Sequence, residues 1–117
     1  MTDREARITD LWTALNRQDF EAALRLLHPD VEWHCILDGV RLHGPAAVHA
    51  YWVRIYGMFI PGSSPITYRL IGEDRIAARM LHGVRDKQGK LWTEEALTQV
   101  FTFRDGLIIR MDLDEGG

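Results

Sequence analysis

The sequence has a single cysteine, so no disulfide can form within the chain, and that usage fits a reducing compartment, the cytoplasm. It has no long apolar run free of charge, and its first residues, Met-Thr-Asp-Arg-Glu-Ala-Arg, are charged; neither a membrane span nor a secretory signal is expected. Positive charge is not in excess either. With a formal net charge of -3, nothing draws the chain to a phosphate backbone or an anionic lipid surface, so nucleic acid and membrane are not expected partners. Repeats, low-complexity tracts and linkers are absent, and residues 1–117 read as one domain. A domain of this size buries roughly 60% or more of its unfolded surface without a staple. His28, His34, His43 and His49 show no zinc spacing, and no nucleotide, flavin or metal pattern stands out, so no cofactor is expected.

What is present is amphipathic patterning. Thr2-Asp3-Arg4-Glu5 has the form of a capping box and predicts a helix from about residue 3 to 16, with Ile8, Leu11, Trp12 and Leu15 as its apolar stripe. Asp19 caps a second helix whose inner face is Phe20, Ala23, Leu24 and Leu27 and which His28-Pro29 stops. In the strand that follows, Val31, Trp33, Cys35 and Leu37 alternate with Glu32, His34 and Ile36. Asp38-Gly39 reads as a turn, and Val40 to His43 as a short extended piece. Gly44-Pro45 opens a third helix with Val48, Tyr51, Trp52, Ile55 and Phe59 along its stripe, and Ile60 to Pro65 reads as a loop.

The remainder is strand: Ile66–Ile71, Ile76–Arg85, Leu91–Phe103 and Leu107–Leu113, joined by short hairpin connections. A two-residue Gln88-Gly89 loop places His82 opposite Glu95, Met80 opposite Leu97 and Ala78 opposite Gln99. A three-residue Arg104-Asp105-Gly106 loop places Phe101 opposite Ile109 and Gln99 opposite Met111. One face then carries Ile76, Met80, Val84, Leu97, Phe101, Phe103, Ile109, Met111 and Leu113, with His82, Glu95 and Gln99 among them. Helices must cover that face, which makes the domain α+β. The other face holds Arg79, Arg110 and Asp112, broken by Leu81, Trp92 and Val100, and is either solvated or a sheet-to-sheet homodimer contact.

The element order, together with L-N-x-x-D-F, H-P-D-V-x-W-H, G-P-A-A-V and F-x-F-R-D-G-x-I, resembles the SnoaL-like branch of the nuclear transport factor 2-like superfamily, which includes the ketosteroid isomerases. The resemblance covers nearly the whole chain. It implies a cone-shaped roll, three helices on one face of a curved antiparallel sheet enclosing a pocket, commonly dimeric. Its members include ketosteroid isomerases, polyketide cyclases, epoxide hydrolases and dehydratases. The isomerases' aspartate base falls at Cys35, their first-helix tyrosine at Leu11 and their protonated aspartate at Gln99. The base and both oxyanion donors are therefore changed, although an amide at Gln99 still donates. The epoxide hydrolases' aspartate–arginine–aspartate set is not matched, since Arg79, Arg110 and Asp112 fall on the outer face.

His82 and Glu95 are the candidate catalytic pair, because a carboxylate opposite an imidazole fixes its tautomer and raises its basicity; an ordinary ion pair at the rim is the alternative. Gln99 either anchors a ligand carbonyl or bonds a tyrosine of the third helix. Trp12, Trp33, Trp52, Tyr56 and Tyr68, with Cys35, Phe101 and Met111, are candidate walls for a small hydrophobic molecule, or simply core. Asp112, Asp114 and Glu115 read as a solvated tail. These residues suit proton transfer on a hydrophobic carbonyl compound, as in an isomerase, cyclase or dehydratase. A passive apolar-ligand binder and a dimerisation domain are the alternatives.

Overall fold

The computed structural model describes residues 2–35 and 39–114; the strand positions expected at Ile36 and Leu37, the turn residue Asp38 and the tail residue Glu115 lie outside them. Helix α1 spans Asp3–Asn16 and begins at the expected capping box, with both reciprocal bonds between Thr2 and Glu5 formed. Its stripe of Ile8, Leu11, Trp12 and Leu15 is buried. Gln18 then takes a left-handed conformation, φ 59°, which turns the chain sharply into α2, Phe20–Leu24, capped by the Asp19 side chain. Helix α3, Pro45–Met58, starts at a proline whose missing donor costs nothing in a first turn.

Six strands follow the order β2-β1-β6-β5-β4-β3 in one sheet, with β1 Leu27–His34, β2 Arg41–His43, β3 Ile60–Gly72, β4 Arg75–Arg85, β5 Leu91–Arg104 and β6 Leu107–Asp114. All neighbours run antiparallel except β1 and β6. The helices lie on one face and share a continuous core with the inner residues of the sheet, an α+β cone of the expected kind.

Four local expectations need correction. Leu27 is not the end of a helix but the start of β1, paired with Ile108. Pro29 is absorbed there by a register shift between Leu27 and Glu32, the place where a strand tolerates a residue without a donor. The expected loop from Ile60 to Pro65 is the first half of β3. Pro61 and Pro65 are accommodated because β3 is an edge strand, where a proline need remove no ladder bond. The β4–β5 ladder has the expected partners, but its turn is longer: the Asp86 N–H bonds the Lys90 carbonyl, and a register shift between Val84 and Arg85 restores the pairing.

The β5–β6 hairpin differs more. Its loop is the two-residue Asp105-Gly106, both at positive φ, with Arg104 opposite Leu107 and Phe103 opposite Ile108. A bulge then skips Ile109, so Phe101 faces Met111 and Gln99 faces Leu113. Burial decides this register: Phe101, Phe103, Ile108 and Met111 all reach the core, and Ile109 gives up the inner position expected for it.

Candidate functional site

The inner face of β4 presents His82 towards the helices, 5% exposed. Its imidazole does not pair with Glu95. Glu95 is the cross-strand neighbour in register but is exposed, and no hydrogen bond or ion pair joins the two. The imidazole Nδ1 lies instead 2.6 Å from the Ser63 hydroxyl on β3. Backbone geometry explains the preference. The Ser63 N–H donates to Asn16 Oδ1 at 3.2 Å and its carbonyl accepts from Asn16 Nδ2 at 2.9 Å, so both groups point away from β4. Ser63 and His82 are then a non-hydrogen-bonded pair, the closer of the two antiparallel spacings, whereas His82 and Glu95 form the wider one. Asn16, the last residue of α1, thereby closes the open edge of β3 at this point.

His82 lines a cavity of about 40 Å³ together with Trp12, Trp33, Tyr51, Trp52, Tyr56 and Pro61. The aromatic walls brace one another: Trp33 and Trp52 meet edge to face at 5.5 Å, and Trp12 meets the His82 ring at 6.4 Å. Burial pushes the His82 imidazole below its ordinary value, with the Glu95 charge acting weakly the other way, so the ring is neutral near pH 7. Burial likewise raises the Tyr56 phenol, which stays protonated. The cavity has room for a few water molecules at most. Tyr51 also lines an outer apolar groove of about 430 Å³ with Cys35, Val40, Leu42 and Arg54, so its half-buried ring stands between the two spaces.

Gln99 is fully buried behind this wall. Its Oε1 accepts from Trp12 Nε1 at 2.9 Å, and because an indole only donates, this bond orients the amide. The partner is a tryptophan of α1 and not a tyrosine of α3. Its Nε2 is the one buried side-chain nitrogen or oxygen among the described residues with no hydrogen-bond partner.

Of the other candidate residues, Trp12, Trp33, Trp52 and Tyr56 meet His82 around the cavity. Phe101 and Met111 are core, both fully buried, and do not line it. Cys35 faces the outer groove, and the Tyr68 hydroxyl is bonded to Thr9 at 2.6 Å away from the cavity. Leu11, at the isomerase tyrosine position, is core. Sequence reasoning missed Ser63 and Asn16. The signal available was the alternation of Pro61, Ser63 and Pro65, which places all three on the inner side of an edge strand.

Among the described residues, no cluster of three or more His, Cys, Asp or Glu side chains is placed to hold a metal, and no helix is long and apolar enough to cross a membrane.

The profile of the SnoaL-like domain matches residues 8–111, and the chain belongs to that family. Its fold is shared by a Δ5-3-ketosteroid isomerase from Mycobacterium sp., at 17% identity and a TM-score of 0.83 over 97% of this chain and 93% of that one. A proposed polyketide cyclase from Xanthomonas campestris is similar at 22% identity and a TM-score of 0.81, over 95% and 88% of the two chains. Rv0760c from Mycobacterium tuberculosis, in complex with estradiol-17beta-hemisuccinate, gives 18% identity and a TM-score of 0.82 over 97% and 93%. At these identities the likeness establishes the fold. No curated protein matches the chain by sequence.

Proposed function

We propose that this single SnoaL-like domain takes a small, largely apolar carbonyl compound into the cavity beneath α1 and α3 and assists proton transfer at that compound through His82, as an isomerase, cyclase or dehydratase. One observation carries the reading: a neutral imidazole sits in the wall of an otherwise aromatic cavity, with Nδ1 taken by Ser63 and Nε2 bonded to no protein group. A passive core has no use for such a group. In a largely apolar site, one hydrogen bond to a carbonyl oxygen makes the adjacent C–H more acidic: the proton leaves to a water molecule held in the cavity, its electron pair enters the new C=C bond, and the charge collects on oxygen. Glu95 has no part in this, since it is exposed and does not touch the imidazole.

At about 40 Å³ the cavity must widen to admit a ring system, and Tyr51 is the side chain whose rotation joins it to the larger outer groove. The protein acts in the cytoplasm as a homodimer whose apolar contacts are Leu81 on the outer sheet face, 41% exposed, and Trp92, 58% exposed, which the register shift beside Val84 carries off that face and against Phe59. Val100, expected there too, is covered by its own chain at 6%.

The test is deuterium exchange at the methyl group of 2-acetylnaphthalene, followed by proton NMR in D2O. The wild-type protein should accelerate exchange over buffer, and His82→Gln should lose roughly 10²-fold of that acceleration with its amide spectrum intact. Exchange no faster than buffer, or unchanged in the variant, would overturn the assignment.

A further inference from the structure

The bond between Ser63 and His82 admits two proton arrangements, and the surroundings choose between them. Both side chains are buried, at 2% and 5%, and the Ser63 Oγ has no partner besides Nδ1. If the ring carried its proton on Nδ1 and donated to Ser63, the serine hydroxyl hydrogen would point into packed protein with nothing to accept it. Ser63 does not line the cavity, so no cavity water could take that hydrogen. If Ser63 donates to Nδ1, its hydrogen is used and the ring proton sits on Nε2, on the residue that does line the cavity. A buried donor without an acceptor is the costlier fault, so the second arrangement is favoured.

We propose that Ser63 is a positioning residue that holds neutral His82 as the Nε2–H tautomer, so that the cavity offers its ligand a hydrogen-bond donor and not a base. The inference rests on the proposed function and narrows its ligand class to apolar ring compounds that bring an acceptor oxygen, a ketone or its enolate, to Nε2. It also assigns Asn16 a purpose: by taking both backbone groups of Ser63, it fixes the close spacing at which the hydroxyl reaches Nδ1. The other groups near the ring agree with a donor site. Trp12 Nε1 is a donor already committed to Gln99, and the Tyr56 phenol keeps its proton. Glu95, the one carboxylate facing the ring electrostatically, is too far for a bond.

The experiment needs no substrate in its first arm. Long-range proton–nitrogen correlation spectra of the 15N-labelled protein above pH 7.5, with the His82 signals identified by their loss in His82→Gln, report which nitrogen carries the proton. The wild type and Ser63→Thr should show a single Nε2–H form, and Ser63→Ala a mixture of tautomers with the fold intact. A proton on Nδ1 in the wild type, or a tautomer ratio unmoved by Ser63→Ala, would overturn the proposal. The second arm compares binding of 2-acetylnaphthalene with that of 2-ethylnaphthalene. The ketone should bind roughly tenfold more tightly in the wild type and in Ser63→Thr, with most of that preference lost in Ser63→Ala. Equal binding of the two probes would overturn the donor assignment. Failure of both to bind, with the tautomer as stated, would overturn the proposed function and the ligand class while leaving the role of Ser63 standing.

Discussion

Trp12 and Trp92 are two indoles of one fold in opposite regimes, one in the core and one at the surface. Trp12 is 4% exposed, its indole nitrogen is bonded to Gln99, and its ring walls the cavity beside His82. Trp92 is 58% exposed and touches one other ring, Phe59, at 4.9 Å. On the inner side polar atoms are few and a partner once lost is not replaced, so geometry is imposed. On the outer side charges are plentiful: Asp112 bonds both Arg41 at 2.5 Å and Arg110 at 2.8 Å, and Arg110 also reaches Glu32 at 3.0 Å. The inner face is where a single substitution changes chemistry, and the outer face is where it changes association or very little.

The largest expected effect is that of Trp12→Ala, which removes a buried indole and leaves both ends of the Gln99 amide without partners. Its cost should be about 3–5 kcal/mol in urea unfolding. Trp92→Lys should cost the monomer no more than about 0.5 kcal/mol, yet shift the protein to a smaller species in sedimentation. If Trp92→Lys leaves the oligomeric state unchanged, that surface is not the dimer contact. If it destabilises as much as Trp12→Ala, the contrast between the two indoles fails.

A middle-sized effect concerns pH. The folded-state value of His82 is depressed below its unfolded 6.5, chiefly by burial, so between the two values the unfolded chain binds more protons. Stability contributed by the neutral ring is therefore complete above pH 6.5 and is lost as pH falls through the folded value. Denaturation midpoints of the wild type should decline across that range, while those of His82→Phe should stay flat there. A further loss belongs below pH 3.8, where Asp112 is involved. Burial opposes its charge, but the bonds from Arg110 and Arg41 outweigh that and hold its carboxyl below the ordinary value. An identical pH profile in the His82 variant would contradict the buried, neutral imidazole.

These same residues show what the sequence makes readable. Helix caps, stripes and strand parity are local, so α1, α3, the His82–Glu95 register and the family likeness all follow from short windows of sequence. The partner of His82 was not local. Choosing Ser63 over Glu95 depends on which of two antiparallel spacings His82 occupies on each side, and that is set by Asn16 at the far end of α1 reaching the edge strand. Two prolines disguised that edge strand as a loop. The β5–β6 bulge was hidden for a related reason: either loop length satisfies the turn chemistry of Arg104-Asp105-Gly106, and only burial of Phe101 against Met111 selects one.

The smallest expected effect is on the outer charge network. Arg110 is 44% exposed and Glu32 41%, so their attraction is weakened by solvent, while Asp112, at 24%, is the best shielded member and keeps Arg41 when Arg110 is lost. Arg110→Gln should therefore cost less than about 1 kcal/mol, and the difference from wild type should shrink further in molar salt, where the screening length falls to about 3 Å. Asp112→Asn removes the negative charge between both arginines and one of the two oxygens that accept from them, and should cost more than Arg110→Gln under the same conditions. Equal, salt-insensitive losses for the two variants would mean that this edge is shielded from solvent, which the fold could supply only by burying it against another copy of the chain. The charge network is thus a small contributor to stability and an independent check on which part of the outer face is covered.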